Sequence, residues 1–129
     1  MRSAKELIGI GIDIVSWSRI KRFLAQHPLK SLKRLLSPSE QKAIRRARSA
    51  VQFFGRCFTA KEAYFKACGV NAMGEANLAR IETHRRRGNQ FRVSSRFFSS
   101  ARGLRSEGRF FETPNGIGAQ VLLWRGETK

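Results

Sequence analysis

The sequence predicts an α+β fold in which an antiparallel sheet packs on one long, buried helix. Three observations lead there. Residues 7–15, LIGIGIDIV, alternate strictly between large apolar residues and small or acidic ones, which is the period-2 signature of a strand. From about Ser49 to Cys68 apolar side chains fill most of a 3.6-residue period and end at Gly69, as in a helix buried on most sides. Beyond Gly74 the chain breaks into short segments separated by the turn signals RRRGN and PNG.

In the first strand Ile8, Ile10, Ile12 and Ile14 point one way, and Gly9, Gly11 and Asp13 the other. Two glycines weaken a strand interior, and close approach of a ligand or another backbone is a common reason to keep them. Next, WSRIKRFLAQH forms a helix with Trp17, Ile20, Phe23 and Leu24 on one side, broken by Pro28. SPSE at Ser37 to Glu40 supplies an N-cap, a first-turn proline and a capping-box glutamate for a helix to about Arg46, and capping accounts for Glu40.

In the helix that follows, Arg56, Thr59, Glu62 and Lys66 make up the polar sector. Glu62 and Lys66 therefore sit at the seam between core and opening, while Lys61 falls within the apolar arc, where a lysine snorkels or serves something buried. ANLARIETH and NQFRV read as a hairpin around RRRGN. SSRFFSSARGLRS reads as a basic amphipathic helix, and RFFET and GIGAQVLLW as two strands joined by PNG.

The length of 129 residues suits a single domain spanning 1–129, large enough to bury a core without disulfides. Cys57 and Cys68 lie eleven residues apart on one helix, roughly 16 Å along its axis, too far to bridge. Glu6 and Asp13 interrupt the apolar N-terminal run, no cleavage site follows, and no stretch reaches the ~20 apolar residues of a membrane span. A reducing, cytoplasmic setting is expected. The net charge of +17 attracts polyanions: nucleic acid, anionic membrane, a phosphate-rich cofactor or an acidic protein. Interleaved Arg and Phe in RRRGNQFRVSSRFFSSARGLRSEGRFF keep a nucleic-acid-binding module as the rival reading, although no RNP1 or KH signature is present.

The two Cys and two His lack zinc-ligand spacing, and no Gly-x-Ser-x-Gly elbow is present. What remains is Asp13, the one aspartate in the chain, with Glu62 and many cations. Two carboxylates together with substrate phosphates are a common magnesium site, so the residues point to phosphate chemistry.

GIGIDIVSWSRI, LLSPSE and FFGRCFTAKEAYFKACG, in this order and near these spacings, resemble the holo-acyl-carrier-protein synthase family of 4′-phosphopantetheinyl transferases. The resemblance is specific from about Leu7 to Gly69 and looser from Ala76 to Trp124. It implies the 4′-phosphopantetheinyl transferase fold, a homotrimer, and transfer of the phosphopantetheine arm of coenzyme A to a serine of an acidic apo acyl carrier protein, releasing adenosine 3′,5′-bisphosphate. Asp13 and Glu62 are implied to hold Mg2+, and Lys66 to sit beside the reacting phosphates. Lys61, Arg56 and Gly69 would line the coenzyme A site; Arg19 and Arg22 would meet the carrier protein. Either Glu62 or a metal hydroxide would take the serine proton. Relatives often have a basic residue where Cys57 stands, a Ser-His pair where this chain has Thr113 and Pro114, and Lys-Pro where it has Asn89 and Gln90. A catalytically degenerate relative is therefore the second alternative.

Overall fold

The computed structural model describes residues 5–69, 75–95 and 104–126. Strand β1 (Glu6–Ser16) leads directly into helix α1 (Trp17–Gln26), capped by the Ser16 hydroxyl, which accepts from the Arg19 amide. A 3-10 turn at Leu29–Arg34, not foreseen from the sequence, brings the chain to α2 (Pro38–Arg46), where both halves of the expected capping box form. Helix α3 (Ala50–Cys68) starts on the Ser49 hydroxyl and ends at Gly69, whose φ of 77° is the left-handed cap that glycine adopts without strain.

The first arm of the expected hairpin divides. Residues Glu75–Arg80 are 3-10, and β2 starts only at Ile81, running to Arg85 against β3 (Gln90–Ser95). Of the basic helix expected over 94–106, residues 96–103 lie outside the described residues, while Leu104–Ser106 belong to β4 (Leu104–Glu112). Period 2 wins there: Ser106, Gly108 and Phe110 turn inward. The buried Ser106 hydroxyl is satisfied by the backbone of Val93, accepting from its amide and donating to its carbonyl. Strand β5 (Gly116–Arg125) closes the sheet, whose order is β1-β5-β4-β3-β2 with every pair antiparallel.

Helix α3 lies across the inner face of this sheet, chiefly on β1 and β5. Its buried Phe54, Tyr64 and Phe65 meet Ile117, Val121 and Leu123 in one core. The two strand glycines explain how the helix sits so close. A Cβ at Gly11 would drive into the carbonyl oxygen of Ala63, and one at Gly9 into that of Ala67, both backbone atoms of α3. The close approach anticipated for these glycines is therefore to another backbone. Gly11→Ala is expected to destabilise the fold by about 3 kcal/mol or more, because helix and sheet must separate to admit the methyl group. A shifted urea midpoint at unchanged slope measures this, and an unshifted midpoint contradicts it.

The glycine face of β1 is thus the inner one, and its isoleucines are exposed. Ile10 is 55% and Ile14 67% accessible, with Ile8, Ile12 and Leu7 beside them, all on an edge strand. A contiguous apolar stripe on an edge strand is the kind of surface that other chains cover.

Candidate active site

Because β1 runs antiparallel to α3, Gly9 meets Ala67 and Gly11 meets Ala63, and the inward position two residues on, Asp13, also faces α3, one turn of which separates Glu62 from Lys66. Long helical side chains lean toward the helix N-terminus, so Lys66 reaches back along α3 toward the same point. Its ammonium donates to Asp13 Oδ1 at 3.2 Å and to the Ile12 carbonyl at 3.0 Å. The lysine that sequence spacing pairs with Glu62 is therefore tied across to β1. Asp13 is largely covered, its side chain 18% exposed, while that of Lys66 is 53% exposed. Glu62 is half-buried at the same seam.

Burial lifts the Asp13 carboxyl above its ordinary range, against the lowering pull of the Lys66 hydrogen bond and of the charges on Lys66 and Arg19. An acid raised in the folded state is stabilising in its protonated form, so its contribution is lost as pH rises through the folded pKa. The ionised carboxylate is thus held at a cost, as at sites kept for binding rather than for stability. Among the described residues no three His, Cys, Asp or Glu side chains cluster as a metal-ligand set. Asp13 and Glu62 nonetheless fit a magnesium ion, which takes few protein ligands and keeps waters or phosphate oxygens. The cation contact that Lys66 already makes shows that Asp13 presents an oxygen to a positive charge.

Arg19 lies within electrostatic reach of Asp13 at the start of α1, and it and Arg22 are exposed. The turn after β4 is held next to them, since the Trp17 amide donates to Asn115 O and its indole N–H to Thr113 O.

Three residues expected at the coenzyme A site have other partners. The Lys61 side chain is completely buried. Its ammonium pairs with the Glu40 carboxylate and donates to the carbonyls of Leu35 and Leu78, leaving no surface for a cofactor. Glu40 also accepts from the amides of Ser37 and Thr83, so capping is only part of its role: it ties α2, α3 and β2 together. Arg56 is half-buried against Glu112, to which its Nε and Nη2 donate at 3.1 and 2.9 Å. Gly69 is explained by its cap conformation. Cys57, where relatives often carry a basic residue, is buried, and burial pushes its thiol well up, so it is an inert core residue. No sequence signal announces the partners of Lys61 and Arg56, because Glu40 and Glu112 are distant along the chain. A charged residue on an apolar helical arc was the one hint for Lys61.

Of the phenylalanines behind the rival reading, Phe111 is exposed and two others are in the core. Phe91 and Phe110 stack on each other inside the core, and Phe97 and Phe98 lie outside the described residues. No helix among the described residues is long and apolar enough to cross a membrane.

Residues 9–112 match the family model of the 4′-phosphopantetheinyl transferase superfamily. A holo-[acyl-carrier-protein] synthase of Azoarcus sp. (strain BH72) is 40% identical over 70 residues, covering 54% of this chain and 56% of that protein. One from Trichlorobacter lovleyi is 43% identical over 64 residues, covering 50% and 51%. These alignments span only about half the length of the curated relatives. Among solved structures, holo-[acyl-carrier-protein] synthase from Neisseria meningitidis superimposes with a TM-score of 0.78 at 26% identity, covering 91% of this chain and 98% of that one. The Bacillus anthracis enzyme, in complex with CoA (3′,5′-ADP), gives 0.75 at 27%, covering 95% and 99%. The match over 9–112 takes in the glycine-faced strand, the capping box and the Glu62–Lys66 helix, and it places this chain in the 4′-phosphopantetheinyl transferase superfamily.

Proposed function

We propose that the protein transfers 4′-phosphopantetheine from coenzyme A to a serine of an acidic apo acyl carrier protein, as a Mg2+-dependent holo-acyl-carrier-protein synthase. The observation that carries this reading is the contact of Lys66 with Asp13 where β1 crosses α3, one helical turn from Glu62. The serine oxygen forms a bond to the phosphorus bearing the pantetheine arm while its proton passes to a general base such as Glu62, the bond from that phosphorus to the bridging oxygen breaks, and adenosine 3′,5′-bisphosphate leaves. Such a transfer asks the protein mainly to position its reactants and offset charge on the phosphate oxygens. Asp13 and Glu62 would hold a magnesium ion, which would supply part of that charge. Lys66, half exposed on a rigid helix, supplies another positive charge within reach of the same oxygens. Metal binding needs the ionised Asp13 carboxylate, so protons should compete with Mg2+ and activity should fall in acid, less so at higher Mg2+. Release of adenosine 3′,5′-bisphosphate that requires carrier, coenzyme A and Mg2+ together tests the reaction; release without carrier would mean simple hydrolysis.

Arg19 and Arg22 form the basic edge that receives the carrier, and the +17 charge speeds the encounter. Arg19→Glu is expected to raise the carrier KM about tenfold or more while leaving the coenzyme A KM nearly unchanged. An effect confined to coenzyme A would assign Arg19 a different role.

The exposed Ile8, Ile10, Ile12 and Ile14 stripe supports a homotrimer, which would cover it. Ile12→Arg is expected to yield monomers by light scattering. A trimer that persists would place the interface elsewhere.

A further inference from the structure

Lys66 bonds two oxygens of β1, the Asp13 carboxylate and the Ile12 carbonyl. These are hard oxygen donors of the type a small divalent cation takes. Asp13 thus already has a positive partner, and a second cation arriving at the same oxygen meets the ammonium first. The two cannot share the carboxylate closely: like charges a few ångströms apart in a half-buried site repel strongly. The lysine is free to move, since its side chain is 53% exposed and flexible, whereas Asp13 is fixed on a paired strand opposite Ala119.

We propose that Lys66 is a placeholder: in the free protein its ammonium holds the cation position beside Asp13, and a divalent metal binds only by exchanging with it. The displaced ammonium then points into the opening, where it can pair with a phosphate oxygen of an arriving substrate. One residue thus has two successive partners. The charge of Asp13 is offset without metal, and metal entry frees the charge that the phosphates need. This rests on the assignment of Asp13 as a metal ligand made above.

The test is Mn2+ binding to the full chain, without coenzyme A or carrier, followed by electron paramagnetic resonance of free Mn2+. Wild type is compared with Lys66→Gln, Lys66→Met, Arg19→Gln and Asp13→Asn, each checked for folding by circular dichroism. Both Lys66 variants are expected to bind Mn2+ roughly three- to tenfold more tightly than wild type, the scale of losing a half-buried charged hydrogen bond. Arg19→Gln removes the same unit of charge from a residue that also acts electrostatically on Asp13, and is expected to change affinity less. The Lys66 gain should persist near 1 M salt, where the Debye length is ~3 Å and only direct exchange survives. Affinity in the Lys66 variants equal to or weaker than wild type, or a gain matched by Arg19→Gln and erased by salt, overturns the placeholder while leaving the metal site standing, provided Asp13→Asn abolishes binding. Mn2+ binding unaffected by Asp13→Asn, or absent from all variants, refutes the metal assignment itself and the placeholder with it.

Discussion

Asp13→Ala is expected to lower transfer by at least about 10²–10³-fold, the scale of losing one preorganised electrostatic stabiliser, while the protein stays folded. The two halves of this expectation come from different observations. Loss of activity follows because Asp13 is the carboxylate that β1 presents to Lys66, and the residue opposite it on β5 is Ala119, which carries no ligand group. Retention of the fold follows because burial already disfavours the ionised carboxyl, and because the abandoned Lys66 is more than half exposed and is resolvated by water. Turnover with a range of Mg2+ concentrations, together with a urea titration, measures both. Unchanged turnover contradicts the site; loss of activity with collapse of the fold contradicts the structural reasoning.

Lys61→Met is expected to cost about 3–5 kcal/mol of folding stability, a large share of the ~5–15 kcal/mol that holds a domain. The ammonium is fully buried and joins Glu40 on α2 to the carbonyls of Leu35 and Leu78. Its removal leaves Glu40 as a buried carboxylate whose positive partner is gone. Lys61→Met combined with Glu40→Gln is expected to recover part of the loss, since no unpaired charge remains. If Lys61 instead contacted coenzyme A, the single variant would fold normally and show a raised coenzyme A KM. Urea midpoints and KM values on the same preparations separate the two.

Local patterns carried much of the fold into view. The alternation of LIGIGIDIV, the SPSE capping box and the glycine stop at Gly69 each depend on residues within a few positions of one another, and each forms as read. The glycines of β1 were legible as a place of close approach, and the partner proves to be α3. What did not show was long-range. That the isoleucine face of β1 is the outer one depends on which side α3 occupies, which the alternation alone does not fix. The family resemblance put Lys61 and Arg56 at the coenzyme A site; their carboxylate partners, Glu40 and Glu112, lie 21 and 56 residues away, where no local pattern points to them. Over 104–106 a basic, amphipathic-looking composition suggested helix, yet pairing with β5 imposed a strand. Asp13, Glu62 and Lys66 stood out because a lone aspartate on a glycine face and a Glu and Lys four apart at a helix seam are both unusual placements.

The most direct test is the intact mass of an apo acyl carrier protein after incubation with the purified protein, coenzyme A and Mg2+. A gain of one phosphopantetheine group, about 340 Da from its composition, is expected, requiring Mg2+ and disappearing with Glu62→Gln. An unchanged carrier mass with several acidic carriers, from wild-type protein shown to be folded, would contradict it.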